Sequence, residues 1–289
     1  MKKREKAGQL IQSHQEIFKC PLCSQKMQMN PSGSLVCVSG HSFDLSRKGY
    51  LNLLLSPSPP AYAKELFESR RRVCDAGFYD PLITAFTDVI QTFAQPLNKR
   101  LTVLDAGCGE GSHLSKISMQ HKARPNCCLT GVDISKESIQ LASAMETDII
   151  WCVADLAKLP FHDESFDMIF NILSPANYVE FTRLLKDDGI VLKVIPGSHY
   201  LREIREALYH GTPKNEYSGE NIQDYFSQKL EVLDTRNIRY TFEAGADILP
   251  DIIRMTPLTR DVHNLDSLQW NDLKSITVDL NILIGRKPG

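Results

Sequence analysis

No run of apolar residues approaches the length of about 18 needed to cross a bilayer. The opening Met-Lys-Lys-Arg-Glu-Lys is not followed by the apolar core of a signal peptide. A membrane partner is therefore not expected, and a cytoplasmic location is. Internal repeats and low-complexity tracts are also lacking, and with 24% charged and 42% hydrophobic residues disorder and collagen are excluded. Net charge is nearly absent, at −2, which taken alone argues against a polyanionic partner. What remains is an ordinary globular chain of 289 residues, long enough for one large domain or two unequal ones.

The near-zero charge conceals a split. Residues 1–72 hold 12 Lys and Arg against 5 Asp and Glu, while residues 73–289 hold 21 against 30. A basic head on an acidic body points to a nucleic-acid surface at the head, with a merely solvated basic arm as the alternative. Between them, Leu54-Leu-Ser-Pro-Ser-Pro-Pro-Ala61 reads as a linker, because proline restricts the backbone and removes amide donors. The expected division is a head over 1–55, a linker over 56–63 and a larger domain over 64–289.

In a cytosolic chain the eight cysteines read as metal ligands, buried small residues or reactive thiols rather than disulfides. Cys20-Pro-Leu-Cys23, followed by Cys37 and His41, forms two close pairs able to converge on a tetrahedron of three thiolates and one imidazole. Zinc accepts that set, and with no position left for water the site is structural. A redox Cys-x-x-Cys is disfavoured because no thioredoxin-like strand and helix frame it. A head of this size buries little core, so a metal supplies folding energy it otherwise lacks.

Helical spacing of apolar residues marks Lys64 to Cys74 and Pro81 to Ala94. From Leu101 onward short apolar runs alternate with helical stretches, giving strands over 101–106, 129–134, 149–154, 168–173 and 190–195. Such alternation builds a parallel sheet covered on both faces. A helix after Gly197 and two β-rich runs, 231–242 and 275–285, flanking a helical insert near 248–255, complete the chain.

The first of these strands ends in Asp105-Ala-Gly107-Cys-Gly109-Glu110-Gly111-Ser112. Glycines there let the backbone turn sharply and approach a ligand. A dinucleotide fingerprint needs glycine where Ser112 stands, and a P-loop needs Lys-Ser/Thr; both are missing. The pattern instead resembles motif I of class I S-adenosylmethionine-dependent methyltransferases, an α/β Rossmann-like fold with a seven-stranded, mostly parallel sheet. That resemblance implies cofactor contacts from Asp105, Gly107, Gly109, Glu110, Gly111 and Ser112, and from Asp133 at the end of the next strand. It also implies Asp155 and Leu156 beside the adenine. A carboxylate suits the ribose because it accepts two hydrogen bonds at once. Cys108 within the loop is expected to pack rather than attack.

Head and body together narrow the resemblance. The zinc ligands, then His41-Ser-Phe43-Asp44-Leu-Ser-Arg-Lys48-Gly49-Tyr50-Leu-Asn52-Leu-Leu54, then Ser69-Arg70-Arg71-Arg72 leading to Gly77-Phe-Tyr79, are similar to the bacterial 23S ribosomal RNA (guanine-N1)-methyltransferases. That family includes tylosin-resistance type enzymes linked to macrolide resistance. The resemblance implies S-adenosylmethionine, one structural Zn2+ and a 23S rRNA hairpin loop as partner, and it admits a homodimer. It adds Tyr79 to the cofactor contacts. The family's histidine after the fifth strand falls one place early in Pro196-Gly197-Ser198-His199-Tyr200, leaving His199 and Tyr200 as two candidates for one role.

Guanine N1 carries a proton and is a weak nucleophile, so its proton must be removed or O6 stabilised. The loop Asn171-Ile-Leu-Ser174-Pro175-Ala-Asn177-Tyr178 offers no carboxylate. Asn171 and Ser174 are accordingly the expected positioning groups, with solvent or another carboxylate as proton acceptor. Lys48, Tyr50, Arg70, Arg71 and Arg72 are the expected RNA contacts, with Arg71 on a phosphate. Two other readings are a small-molecule methyltransferase and a zinc-dependent RNA-binding protein with an inactive core.

Overall fold

A computed structural model describes residues 2–56, 64–94, 100–120, 127–209, 219–259, 270 and 273–289. Most of the expected linker, 57–63, lies outside the described residues. The body is built on a sheet whose central strands are β5 (Leu101–Ala106), β6 (Cys127–Asp133), β7 (Ile149–Val153), β8 (Phe166–Ile172) and β9 (Leu185–Pro196). Every residue of β5, β7 and β8 is buried, as expected where helices cover both faces. Side chains alternate between two cores. Val103, Met168, Phe170 and Leu192 pack on one side, while Leu104, Ile169 and Val191 pack on the other.

The chain runs from β5 outward through β6 to β7, then returns across β5 to β8 and β9, all parallel. The switch point thus falls between β5 and β8, where two loops diverge at the carboxyl ends of adjacent strands and leave a crevice. β11 (Ser275–Arg286) pairs antiparallel with β9, and β10 (Glu231–Glu243) pairs antiparallel with β11 as one edge. The other edge differs from the expected count of seven. β4 (Tyr50–Asn52), from the head, lies parallel to β7 and makes an eighth strand.

The head opens with α1 (Lys3–Gln12), followed by a small antiparallel sheet of β1 (Met27–Met29), β2 (Ser34–Cys37) and β3 (Ser42–Asp44). Its apolar residues share a core with the body. Phe18 packs on Phe161 with ring centroids 5.5 Å apart, the Lys19 amide donates to the Pro160 carbonyl at 3.0 Å, and the His162 amide to that of Ile17 at 2.9 Å. α2 (Lys64–Asp75), α3 (Asp80–Ala94), α4 (Ser112–Gln120) and α5 (Lys136–Ala142) come next. α6 (Tyr178–Leu184), α7 (Arg202–Tyr209), α8 (Glu220–Lys229) and α9 (Leu249–Met255) follow. No described helix is long and apolar enough to cross a membrane.

Candidate cofactor cleft and metal centre

The loop after β5 is shaped by its glycines. Gly107, at φ +84°, occupies left-handed backbone, and a Cβ there would overlap the Ser174 hydroxyl from the loop after β8. Glycine therefore lets the two switch-point loops touch. The amides of Gly107 and Cys108 both donate to the Val132 carbonyl, at 2.8 and 2.9 Å, and the Gly109 amide donates to an Asp133 carboxylate oxygen at 2.9 Å. The other Asp133 oxygen accepts from the Ser135 amide at 2.8 Å. Asp133 is thus fixed against the loop.

Three acidic side chains converge here. The Asp105 carboxyl, 1% exposed, is pushed up to about 8 by burial and then by the charges of Asp133 and Glu110. Burial also raises Asp133, against the lowering pull of the Ser135 and Gly109 amides. One oxygen each of Asp105 and Glu110, the Ser112 hydroxyl and His113 Nε2 are buried without a hydrogen-bond partner. Burial, then Arg70 and Lys116, lowers His113 to about 3 and keeps it neutral. Unpaired acceptors under a negative field fit a ligand with hydroxyl or ammonium donors and a positive charge, as S-adenosylmethionine has.

A cleft of about 460 Å³ opens above this loop. Tyr79, Gly107, Gly109 and Glu110 line it, and so does Tyr200, whose hydroxyl lies 2.8 Å from that of Tyr79. Burial raises both phenols, so they remain neutral. His199 does not line the cleft; its amide donates to Asp279 at 2.9 Å and its ring is 41% exposed. Asp155 is exposed at the end of β7, accepting from the Ala157 amide at 2.8 Å, and Leu156 follows it half-buried; neither lines the cleft. Gly111, Ser112, Asp105 and Asp133 lie beneath or beside the lining rather than in it. Burial holds the Cys108 thiol well above its usual range, in keeping with packing.

The loop after β8 departs from expectation. Asn171 is fully buried, and its amide donates to the carbonyls of Ala106 at 2.7 Å and Pro175 at 3.0 Å. Its carbonyl accepts from Lys193 Nζ at 2.6 Å. No polar atom of Asn171 is left to face a substrate, whereas Ser174 does line the cleft. Leu173, at φ +50°, turns the loop. Lys193, missed from sequence, also lines the cleft while only 4% exposed. Its signal was a lone charge inside the apolar run Ile190-Val-Leu-Lys193-Val-Ile195. The rim also takes Tyr178, whose buried hydroxyl has no partner, and Tyr225 of α8, their rings 5.4 Å apart.

The three arginines of α2 diverge. Arg70 lines the cleft, Arg71 donates to the carbonyls of Glu110 at 2.8 Å and Leu141 at 2.9 Å, and Arg72 clamps Asp251 of α9 at 2.6 and 2.7 Å. Lys48 is exposed, 3.4 Å from the Gln140 side chain, whose amide also reaches the hydroxyl of buried Tyr50.

In the head, the Cys20, Cys23, Cys37 and His41 donor atoms all lie within 4.8 Å of one another. Cys23 and Cys37 sulfurs are 3.6 Å apart, and His41 Nδ1 lies 3.5 Å from Cys20 and 3.4 Å from Cys37. A tetrahedral zinc with bonds of about 2.3 Å to sulfur and about 2.0 Å to nitrogen separates its ligands by roughly 3.5–3.8 Å. The Cys23–Cys37, Cys20–His41 and Cys37–His41 pairs already stand near that spacing. The Gln25 amide chiefly lowers the Cys23 thiol, to about 6, towards the thiolate a metal binds.

A family model described as "Methyltransferase domain" matches residues 97–229, and a zinc-ribbon model described as "RlmA, N-terminal" matches residues 18–58. Fold, cleft and these matches together define an S-adenosylmethionine-dependent methyltransferase of class I fold bearing a structural zinc module. The chain is 40% identical to "Putative 23S rRNA (guanine-N(1)-)-methyltransferase YxjB" of Bacillus subtilis, over 94% of this chain and 97% of that one. It is 27% identical to the 23S rRNA (guanine(748)-N(1))-methyltransferase of Streptomyces fradiae, over 83% and 84% of the two chains. A Micromonospora griseorubida relative of like name is 31% identical over 66% and 69%. The chain belongs to the 23S rRNA (guanine-N1)-methyltransferase family.

Proposed function

We propose that this protein methylates N1 of a guanine in a hairpin loop of 23S ribosomal RNA, acting in the cytoplasm. The observation that carries this reading is the match to such enzymes across zinc ribbon and methyltransferase body together. The cleft supports it by setting the rings of Tyr178 and Tyr225 in one lining with Ser174 and Lys193. RNA enzymes of this kind act on a base taken out of its stack, and aromatic rings can hold such a base.

S-adenosylmethionine supplies a methyl carbon made electrophilic by the adjoining sulfonium. Asp105, Glu110, Ser112 and Asp133 are proposed to hold it over the glycine loop, with Asp155 and Leu156 at the adenine end and Tyr79 and Tyr200 closing the side. Tyr200 is preferred to His199 because it faces the cleft. Residues 1–55 are proposed as the RNA-recognition module and 64–289 as the catalytic part. Arg70 and Lys48 supply the phosphate contacts, since Arg71 and Arg72 are engaged internally. The test is mass mapping of 23S rRNA from a strain lacking the gene. A missing N1-methylguanine, restored by the wild-type gene, supports the reading; an unchanged rRNA methylation map refutes it. Position 748, named for the Streptomyces fradiae relative, is the first to examine.

A further inference from the structure

The loop after β8 contains no carboxylate, yet N1 of guanine must lose a proton when it takes a methyl group. Lys193 is a nitrogen base that lines the same cleft. In the parallel register of β8 and β9 it lies opposite Asn171, with β8 between it and the strand that leads into the glycine loop. Its amine donates to the Asn171 side-chain carbonyl at 2.6 Å and to the Ser174 backbone carbonyl. Two acceptors fix the nitrogen and leave one tetrahedral position unused. Lys193 also lines the cleft, as do Ser174 and the partnerless Tyr178 hydroxyl.

We propose that Lys193 is the general base that accepts the guanine N1 proton, an inference that rests on the guanine-N1 reading above. As the N1–H bond breaks, its proton passes to the lone pair of the neutral Lys193 amine, and N1 bonds the methyl carbon as the carbon–sulfur bond breaks. The positive charge lost at sulfur appears on the Lys193 ammonium, which returns its proton to solvent.

The surroundings suit the role. No carboxylate ion-pairs with Lys193 among the described residues. Arg70, Tyr79, Glu110, His113, Tyr178 and Tyr200 share the cleft walls, and none is hydrogen-bonded to its amine. Burial alone lowers Lys193 to about 8, so a useful fraction is neutral near neutral pH. Asn171 thereby becomes a positioning residue, holding the base rather than the substrate.

The test uses the whole chain with an in vitro transcript of unmodified 23S rRNA. Lys193→Met and Lys193→Arg should each lower single-turnover methyl transfer about 100-fold or more. Calorimetric binding of S-adenosylhomocysteine and of the transcript should change by no more than about twofold. Arginine keeps the cation and its donors but does not deprotonate, so it separates a base from an O6 donor. Ethylamine should restore turnover to Lys193→Ala in proportion to its free-amine fraction. Lys193→Arg within about tenfold of wild type, or no ethylamine rescue of a variant that binds both ligands, overturns the proposal. Wild-type protein that leaves guanine N1 unmethylated overturns the functional reading itself, a different result from active wild type with active Lys193→Met.

Discussion

The Asn171 side-chain carbonyl accepts a 2.6 Å hydrogen bond from Lys193, across the adjacent parallel strands β8 and β9. An amide there holds the amine without the charge that would keep it protonated. Asn171→Asp adds that charge and should raise the Lys193 pKa above its present value of about 8. In 13C-lysine-labelled protein, the Lys193 Cε resonance should titrate near pH 8 and move to higher pH in the variant. The acid limb of the methylation profile should move the same way, so activity at pH 7 falls.

Gly107→Ala should weaken cofactor binding without unfolding the chain. The new Cβ overlaps the Ser174 hydroxyl, and the backbone at φ +84° adds about 1–2 kcal/mol of strain. Titration calorimetry with S-adenosylhomocysteine should show affinity at least about tenfold weaker. Adding Ser174→Gly should recover part of it, because the overlap goes and the strain stays. Full recovery, or no loss in the single variant, would refute the account.

Asp105 gives a pH dependence of known sign. Its folded value near 8 lies above the ordinary 3.8. The folded state therefore binds the extra proton, and the stability this gives is complete below about pH 4 and lost as pH rises to 8. Asp105→Asn should flatten that decline, raising the Tm of the ligand-free protein at pH 8 but not at pH 4. The same variant should bind S-adenosylmethionine more weakly, since an amide cannot ionise to the carboxylate that a cationic ligand beside it favours. A ligand-free Tm at pH 8 no higher than wild type would count against the buried repulsion.

Much of this fold is legible from pattern alone. The continuous apolar runs at 101–106 and 149–153 are strands because both faces are covered, and the cofactor loop follows from its glycines. β4 is not legible, since three residues show no period and its pairing with β7 is a long-range contact. That Tyr200 lines the cleft and His199 does not was equally hidden, since the His199 amide donates to Asp279, eighty residues away in sequence. Lys193 was visible as a charge in an apolar strand, but its meaning depends on Asn171 lying beside it.

Removing the metal should destabilise more than the head. Phe18 packs on Phe161, and Leu35, Leu51 and Leu104 belong to one core, so the head's apolar residues cover the body. Cys20→Ser should reduce zinc content from one per chain and lower stability by about 3 kcal/mol or more, roughly 6–12 °C in Tm. Scanning calorimetry should show the main transition shifting as a whole. A main transition unmoved by metal loss would mean that the shared core contributes nothing.

Adjacent arginines of the basic helix α2 are engaged differently. Arg70 lines the cleft, while Arg71 spends its donors on the Glu110 and Leu141 carbonyls and Arg72 on Asp251. Arg70→Ala should weaken binding to a 23S rRNA transcript and reduce the slope of log affinity against log salt by roughly 0.7–0.9, one phosphate's worth, with Tm unchanged. Arg71→Ala should instead lower stability by about 2–3 kcal/mol, because charge-assisted bonds to two carbonyls are lost and the glycine loop loses its support. Its salt slope should match wild type, against the sequence expectation of a phosphate at Arg71. A reduced slope for Arg71→Ala with unaltered Tm would place the phosphate there after all, and would require the guanidinium to leave both carbonyls when RNA binds.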